Sequence, residues 1–307
     1  MLFLLNRLTV GICAYNEGRN ISKLLENVLD DQELSEDSEV IVVCSGCVDN
    51  TVKQVQVCAA KDPRVKLHVE VERSGKASAI NYIFSHAAGD IIIFVSADTL
   101  PFKASFPKLL SKLESPNVGI VSGNPVPVNS KSSLTGRVVH LMWRFHGYVF
   151  AELNDAGLAR HATEVFCIRK GIVKRIPAET VNDDAYIAVV SKKKGWLIKY
   201  SAESKLSICG PKTYREYFQQ RHRVIFGHYQ LRKLTGESPQ YLVHLMPLHP
   251  VRTVKLALWL TANYDPVTLA TFLLTEFIVN VAAMFDILSG NAHDQWTMLP
   301  STKTVIP

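Results

Sequence analysis

Along the first hundred residues, short apolar runs alternate with amphipathic stretches. Leu8–Ala14, Glu39–Cys44, Val65–Val71 and the run ending at Val95 are rich in β-branched residues, and each gives way to polar turn residues. These are strand signals. The intervening segments, reaching to about Leu29, Ala60 and Ala87, predict helices, the first capped by Asn20 or Ser22. Three rounds of strand and helix over about 90 residues predict βαβ units and a parallel sheet.

The fourth run, Ile92-Ile93-Phe94-Val95, stops at Ser96-Ala97-Asp98 and is closed by Pro101. It reads as a buried strand that delivers one carboxylate, Asp98, to the carboxyl edge of the sheet. Ligands of open α/β sheets bind at that edge. Further along, helices are predicted over Phe102–Leu113, Ser132–Asn154, Asp184–Lys194 and Tyr214–Leu234. Strands are predicted over Val118–Gly123, Thr163–Arg169 and Trp196–Tyr200.

After Gly236–Pro239 the pattern changes. Val254–Thr261 is apolar, Asn263–Pro266 breaks it, and Val267–Leu288 is a 22-residue apolar run interrupted by Glu276, Asn280 and Asp286. The length suits a membrane span. One carboxylate near mid-span costs about 2.5–3.5 kcal/mol on insertion scales, which a facing partner offsets. The same run also suits a helix pair lying in the membrane interface or covering the globular domain. The boundary expected is therefore a catalytic domain over 1–235 and an apolar helical region over 236–307, membrane-associated.

Composition narrows the partners. The net charge is +6 and the pI about 8.9. A mildly basic chain does not demand nucleic acid, and none is expected; an anionic lipid surface or a polyphosphate substrate explains the charge equally well. The six cysteines, Cys13, Cys44, Cys47, Cys58, Cys167 and Cys209, form no disulfide framework and read as reduced thiols facing a cytosolic compartment. Cys44-Ser-Gly-Cys47 has no second pair at zinc spacing. Met1–Leu5 is too short to be the apolar core of a secretory signal.

The loops after the strands carry the candidate chemistry. Lys76, in Gly75-Lys76-Ala77-Ser78, stands at a helix start, where amide dipoles and an ammonium both favour phosphate. The spacing of a P-loop is absent. Asn182-Asp183-Asp184 opens a helix with two acids, which favour its N-terminus and offer a base. Gln220 and Arg223 are three apart and share a helix face.

Taken in order, these loops resemble those of the inverting, processive or lipid-directed glycosyltransferases of family 2, over about residues 8–225. Ala14-Tyr15-Asn16-Glu17 resembles the family's (A/P)xNE, Cys44–Thr51 its DDGSTDGT loop, and Gly75–Asn81 its GKxxAxN. Ser96-Ala97-Asp98 stands in place of DxD, Asn182-Asp183-Asp184 of (T/E)ED, and Gln220–Val224 of QxxRW. The resemblance implies an α/β GT-A fold: a Rossmann-like, mostly parallel sheet flanked by helices, here with an apolar helical C-terminal appendage. It implies transfer of a sugar with inversion from a nucleoside diphosphate sugar, UDP favoured, to a lipid-linked or membrane-held glycan. Mg2+ or Mn2+ would assist.

By the same resemblance Ala14, Tyr15, Asn16, Glu17, Ser45, Lys76 and Ala97 would contact the donor. Asp98 would hold the metal, Asp184 would be the general base, and Gln220 and Arg223 would meet the diphosphate. The catalytic domain would face the cytoplasm at the cell membrane. The chain departs from the family in three places: Cys44-Ser45 replaces the leading acid pair, Ser96 the first acid of DxD, and Val224 the Trp of QxxRW. The last loss removes an aromatic platform typical of polymer-extending members. A soluble-acceptor transferase and a non-catalytic nucleotide-sugar-binding protein are the alternatives. A nucleotidyltransferase would carry a Gly-rich loop after the first strand, where Ala14–Glu17 stands.

Overall fold

The computed structural model describes residues 7–155, 157–159, 161–239, 250–291 and 299–303. Its centre is β1 (Leu8–Ala14), flanked on one side by β2 (Glu39–Ser45) and β3 (Val65–Glu70) and on the other by β4 (Ile91–Val95), all parallel. Ile12, Val42 and Ile93 are buried on one sheet face and Ile41, Val43 and Ile92 on the other, which explains the uninterrupted apolar runs. Each such side chain contributes roughly 1.5–3 kcal/mol of burial.

Helix α1 (Ile21–Asp31) buries Ile21, Leu24, Leu25 and Val28, the i, i+3, i+4, i+7 stripe of an amphipathic helix. It shares one sheet face with α2 (Thr51–Lys61), while α3 (Lys76–His86) covers the other through Ile80 and Ile83. Gly11 permits this approach, because a Cβ there would lie 2.9 Å from Ile83 Cγ2.

The second half departs from simple alternation. The full strand order is β3-β2-β1-β4-β7-β6-β8-β5. Here β7 (Val165–Arg169) enters antiparallel between β4 and β6 (Val118–Pro127), and β8 (Leu197–Ile208) runs parallel to β6. Both β6 and β8 extend well past their predicted ends. The β6–β8 pairing, with its register irregularities, orders segments that carry exposed Glu203 and Lys205 and show no apolar run. The three-residue β5 (Thr99–Pro101) lies at the sheet edge, where a proline is tolerated.

Helices α4 (Ser105–Leu110), α5 (Leu134–Asp155) and α6 (Asp183–Lys193) complete the layers. Helix α7 (Tyr214–Thr235) is capped at Thr213, whose hydroxyl accepts the Glu216 amide, and ends at Gly236 in the left-handed region (φ 77°).

The apolar region folds into α8 (Pro250–Asn263) and α9 (Pro266–Leu288). Asp265 caps α9 by accepting the Thr268 amide at 2.9 Å, with Pro266 in the first turn. One face of α9 docks on α7 and α5: Phe272 meets Phe145 with ring centroids 5.5 Å apart, and Tyr214 and Thr275 share a 2.7 Å hydrogen bond. The carboxylate foreseen as a burden in this run, Glu276, pairs with Arg221 of α7.

Candidate active site

The carboxyl ends of β1, β2 and β4 open into a cavity of about 470 Å³. Ala14, Tyr15, Glu17, Ser45, Lys76, Ala97, Asp98, Asp184, Gln220 and Arg223 all line it. Asn16 does not line it. It adopts a left-handed backbone (φ 54°), and its side-chain carbonyl accepts the Val48 amide at 2.9 Å, so it shapes the loop.

The entrance loop is held from the loop after β2 and the first residue of α2. Thr51 Oγ1 accepts the Glu17 amide at 2.8 Å, and Asp49 Oδ2 accepts the Gly18 amide at 3.0 Å. These contacts give the retained Asp49 and Thr51 a positioning role. Ser45 Oγ accepts the Ser74 amide at 3.0 Å, tying the β2 loop to the segment before α3. The Arg73 guanidinium stacks 4.1 Å from the Tyr15 ring centroid, a flat, cationic surface at the cavity wall. All six cysteines are free thiols. Cys47 is lowered to about 7, chiefly by its hydrogen bond from Cys44.

Deeper in, Lys76 Nζ lies 2.9 Å from Asp183 Oδ2. Lys76 is 54% accessible because it borders the cavity. Desolvation by the cavity walls would lower its ammonium, but Asp183 and Asp184 outweigh that and raise it, so it stays charged. Asp184 sits beside it at the start of α6. Burial raises its carboxyl above the usual range, and Asp183 adds to this against the opposing pull of His161 and Lys76.

This corner is locked to α7. Asn182 Nδ2 donates to the Val224 carbonyl at 2.8 Å, and Gln230 accepts the Val181 amide at 3.1 Å. Gly227 admits the Asn182 side chain, since a Cβ there would stand 2.6 Å from Asn182 Cγ. The α6 acids and the α7 pair Gln220 and Arg223 therefore hold a fixed relation across the cavity.

Besides Arg73, Lys303 and Glu164 were not foreseen. Lys303, in the short 3-10 turn Pro300–Lys303, reaches into the cavity, contacts Glu17 and lies 3.5 Å from Asp98 Oδ2. Its turn is anchored where Ser301 Oγ donates to Glu216 Oε2 at 2.6 Å. Glu164, just before β7, also borders the cavity.

The Lys303 ammonium lies 3.5 Å from Asp98 Oδ2, so the Asp98 carboxylate faces the cavity where a cation can reach it. Among the described residues no three His, Cys, Asp or Glu side chains converge as a ready-made metal cage. A bound Mg2+ or Mn2+ would complete its shell with phosphate oxygens and water, as Mg2+ commonly does.

The family model for glycosyl transferase family 2 matches residues 9–176, and the chain belongs to that family. Over 112 residues it is 30% identical to the undecaprenyl-phosphate 4-deoxy-4-formamido-L-arabinose transferase of Proteus mirabilis, covering 36% of this chain and 34% of that protein. It is 24% identical over 238 residues to the dolichol-phosphate mannosyltransferase of Pyrococcus furiosus, covering 71% and 64%. The chain thus spans about a third of the first of these curated relatives and under two thirds of the second. The mannosyltransferase PcManGT of Pyrobaculum calidifontis, solved in complex with GDP-Man and Mn2+, superposes with a TM-score of 0.67 at 22% identity, over 93% of this chain and 88% of that one. This likeness establishes the GT-A type of fold.

Proposed function

We propose that this protein transfers a sugar, with inversion, from a nucleoside diphosphate sugar to a lipid-linked or membrane-held glycan acceptor. The observation that carries the proposal is the gathering of Asp98, Lys76, Asp184 and Arg223 around one cavity at the carboxyl edge of the sheet. Tyr15, stacked with Arg73, and the Glu17 loop receive the nucleoside. Lys76 and Arg223 face the diphosphate and stabilise the charge that builds on the leaving group. Asp98 holds Mg2+ or Mn2+, which neutralises the diphosphate when bound. Asp184 accepts the acceptor's proton as its oxygen attacks the anomeric carbon. A protein that only bound the donor would have no use for a carboxylate so placed.

The lipid-linked acceptor is supported by two relatives whose names carry undecaprenyl phosphate and dolichol phosphate, and by the outer face of α9. This is the one described helix long and apolar enough to cross a membrane. Leu274, Phe277, Phe285 and Leu288 are exposed along it. Its other face binds α7 through Glu276 and Asn280. A helix tied to the globular domain along its length lies in the membrane interface with its apolar side in lipid. We place the catalytic domain on the cytoplasmic side, in keeping with its six free thiols. The test is a screen of UDP-, GDP- and dTDP-sugars with Mg2+ and Mn2+, following sugar hydrolysis and transfer to polyprenyl phosphates. Turnover of one donor supports the reading; no turnover and no donor binding overturns it.

A further inference from the structure

The first acid of the family's metal motif is Ser96 here, and the residue directly across the sheet from it is Glu164. Val95 pairs with Val165 in the antiparallel β4–β7 register, and the Ser96 amide donates to the Glu164 carbonyl at 3.0 Å. Cross-strand neighbours point to the same sheet face, and both residues border the cavity that holds Asp98 and Asp184. Glu164 Oε2 is sealed from solvent and has no hydrogen-bond partner among the described residues. A buried, unsatisfied carboxyl oxygen is costly to a fold, and such groups point to a ligand or a function.

We propose that Glu164 is a specificity-determining residue whose carboxyl binds a hydroxyl of the transferred sugar. The inference rests on the donor-site reading above. In a direct displacement the anomeric carbon lies between the diphosphate, held at Asp98 and Lys76, and the acceptor oxygen, held at Asp184. The sugar ring must occupy the space these side chains bound. The charged groups that act on Glu164 are the same three: Asp184 most strongly, then Lys76, then Asp98.

Burial, reinforced by Asp184, pushes the Glu164 carboxyl up to about 8. A carboxyl accepts a hydrogen bond and, when it holds its proton, also donates one, which matches a sugar hydroxyl. Loss of the charge at Ser96 is consistent with this, because a carboxylate there would stand against Glu164 and compete for the same hydroxyl.

The test is calorimetric and does not depend on turnover. UDP, GDP, UDP-glucose, UDP-N-acetylglucosamine and GDP-mannose are titrated into the full chain with Mn2+, comparing wild type, Glu164→Gln and Glu164→Ala. Glu164→Ala is expected to weaken the preferred nucleotide sugar about tenfold, the value of one hydrogen bond to a buried group. Binding of the matching bare diphosphate should change less than about twofold, since that part of the donor does not reach Glu164. The near-isosteric Glu164→Gln keeps a donor and an acceptor and should retain most of the affinity, which also guards against a folding defect in the alanine variant. Equal nucleotide-sugar affinity in wild type and Glu164→Ala overturns the inference. So does an equal loss for sugar nucleotide and bare diphosphate, which would make Glu164 a metal or phosphate ligand. If wild type binds the bare diphosphates but no nucleotide sugar tested distinguishes itself from them, Glu164 has no sugar to read. If wild type binds none of the five, and no dTDP or dTDP-sugar titrated in the same way, the donor-site reading itself falls.

Discussion

Arg221 and Glu276 form a two-pronged ion pair, Nε to Oε1 at 2.7 Å and the terminal nitrogen to Oε2 at 2.9 Å, with both side chains 6% exposed. Arg221 lies between Gln220 and Arg223 on α7, and Glu276 lies midway along α9. The pair therefore joins the helix that carries Gln220 and Arg223 at the cavity to the helix with the exposed apolar face.

Breaking this pair from one side leaves a buried charge without its partner. Glu276→Ala should destabilise the protein by about 3–5 kcal/mol, read as a fall in the denaturant midpoint. The double variant Arg221→Met with Glu276→Met should recover most of that loss, because it removes both desolvated charges. Equal losses in the single and double variants would show that packing, and not the charge pair, holds α9 to α7.

The pH dependence follows from Asp184. A general base works deprotonated, and burial raises its carboxyl. Activity should therefore be lost, as pH falls, at a higher pH than an ordinary aspartate would give. Lys76 acts on Asp184 in the lowering direction. Lys76→Met should move the acid limb of the kcat profile further up. A downward move would remove Asp184 from the proton transfer.

Lys303 contests the cation position beside Asp98. An ammonium held at Asp98 competes with a divalent ion for that carboxylate. Lys303→Met should tighten Mn2+-dependent nucleotide binding severalfold by calorimetry. Weaker binding would instead assign Lys303 to the donor's phosphates.

The outer face of α9 bears on membrane attachment. Phe277 is 67% and Phe285 66% exposed in the folded protein. Replacing both by Asp should cut co-sedimentation with anionic vesicles by roughly tenfold or more, given about 1.5–3 kcal/mol per buried aromatic, and leave the thermal midpoint nearly unchanged. Undiminished binding would place the membrane contact elsewhere.

Much of the N-terminal half is legible in the residues themselves. Strands such as Ile91–Val95 are buried on both faces, and a doubly buried strand writes itself as an apolar run. The loops proposed to bind the donor are legible for a related reason: each follows such a strand directly, so a local pattern locates it. The outer part of β8 is not legible, because its order comes from pairing with β6 and not from its own side chains. Glu164 stands out only once the β4–β7 register puts it opposite Ser96. Lys303 meets Glu17 across a separation of 286 residues, a closure no local pattern encodes.

The role proposed for Asp184 is to take a proton from the acceptor in a cavity that binds the donor by other groups. The most direct measurement pairs sugar transfer with donor binding in one preparation of Asp184→Asn. Transfer should fall by at least about a hundredfold, the usual scale of a general base, with donor affinity within a few fold of wild type. Transfer that survives the substitution, or donor binding that disappears with it, would mean that Asp184 is not the base.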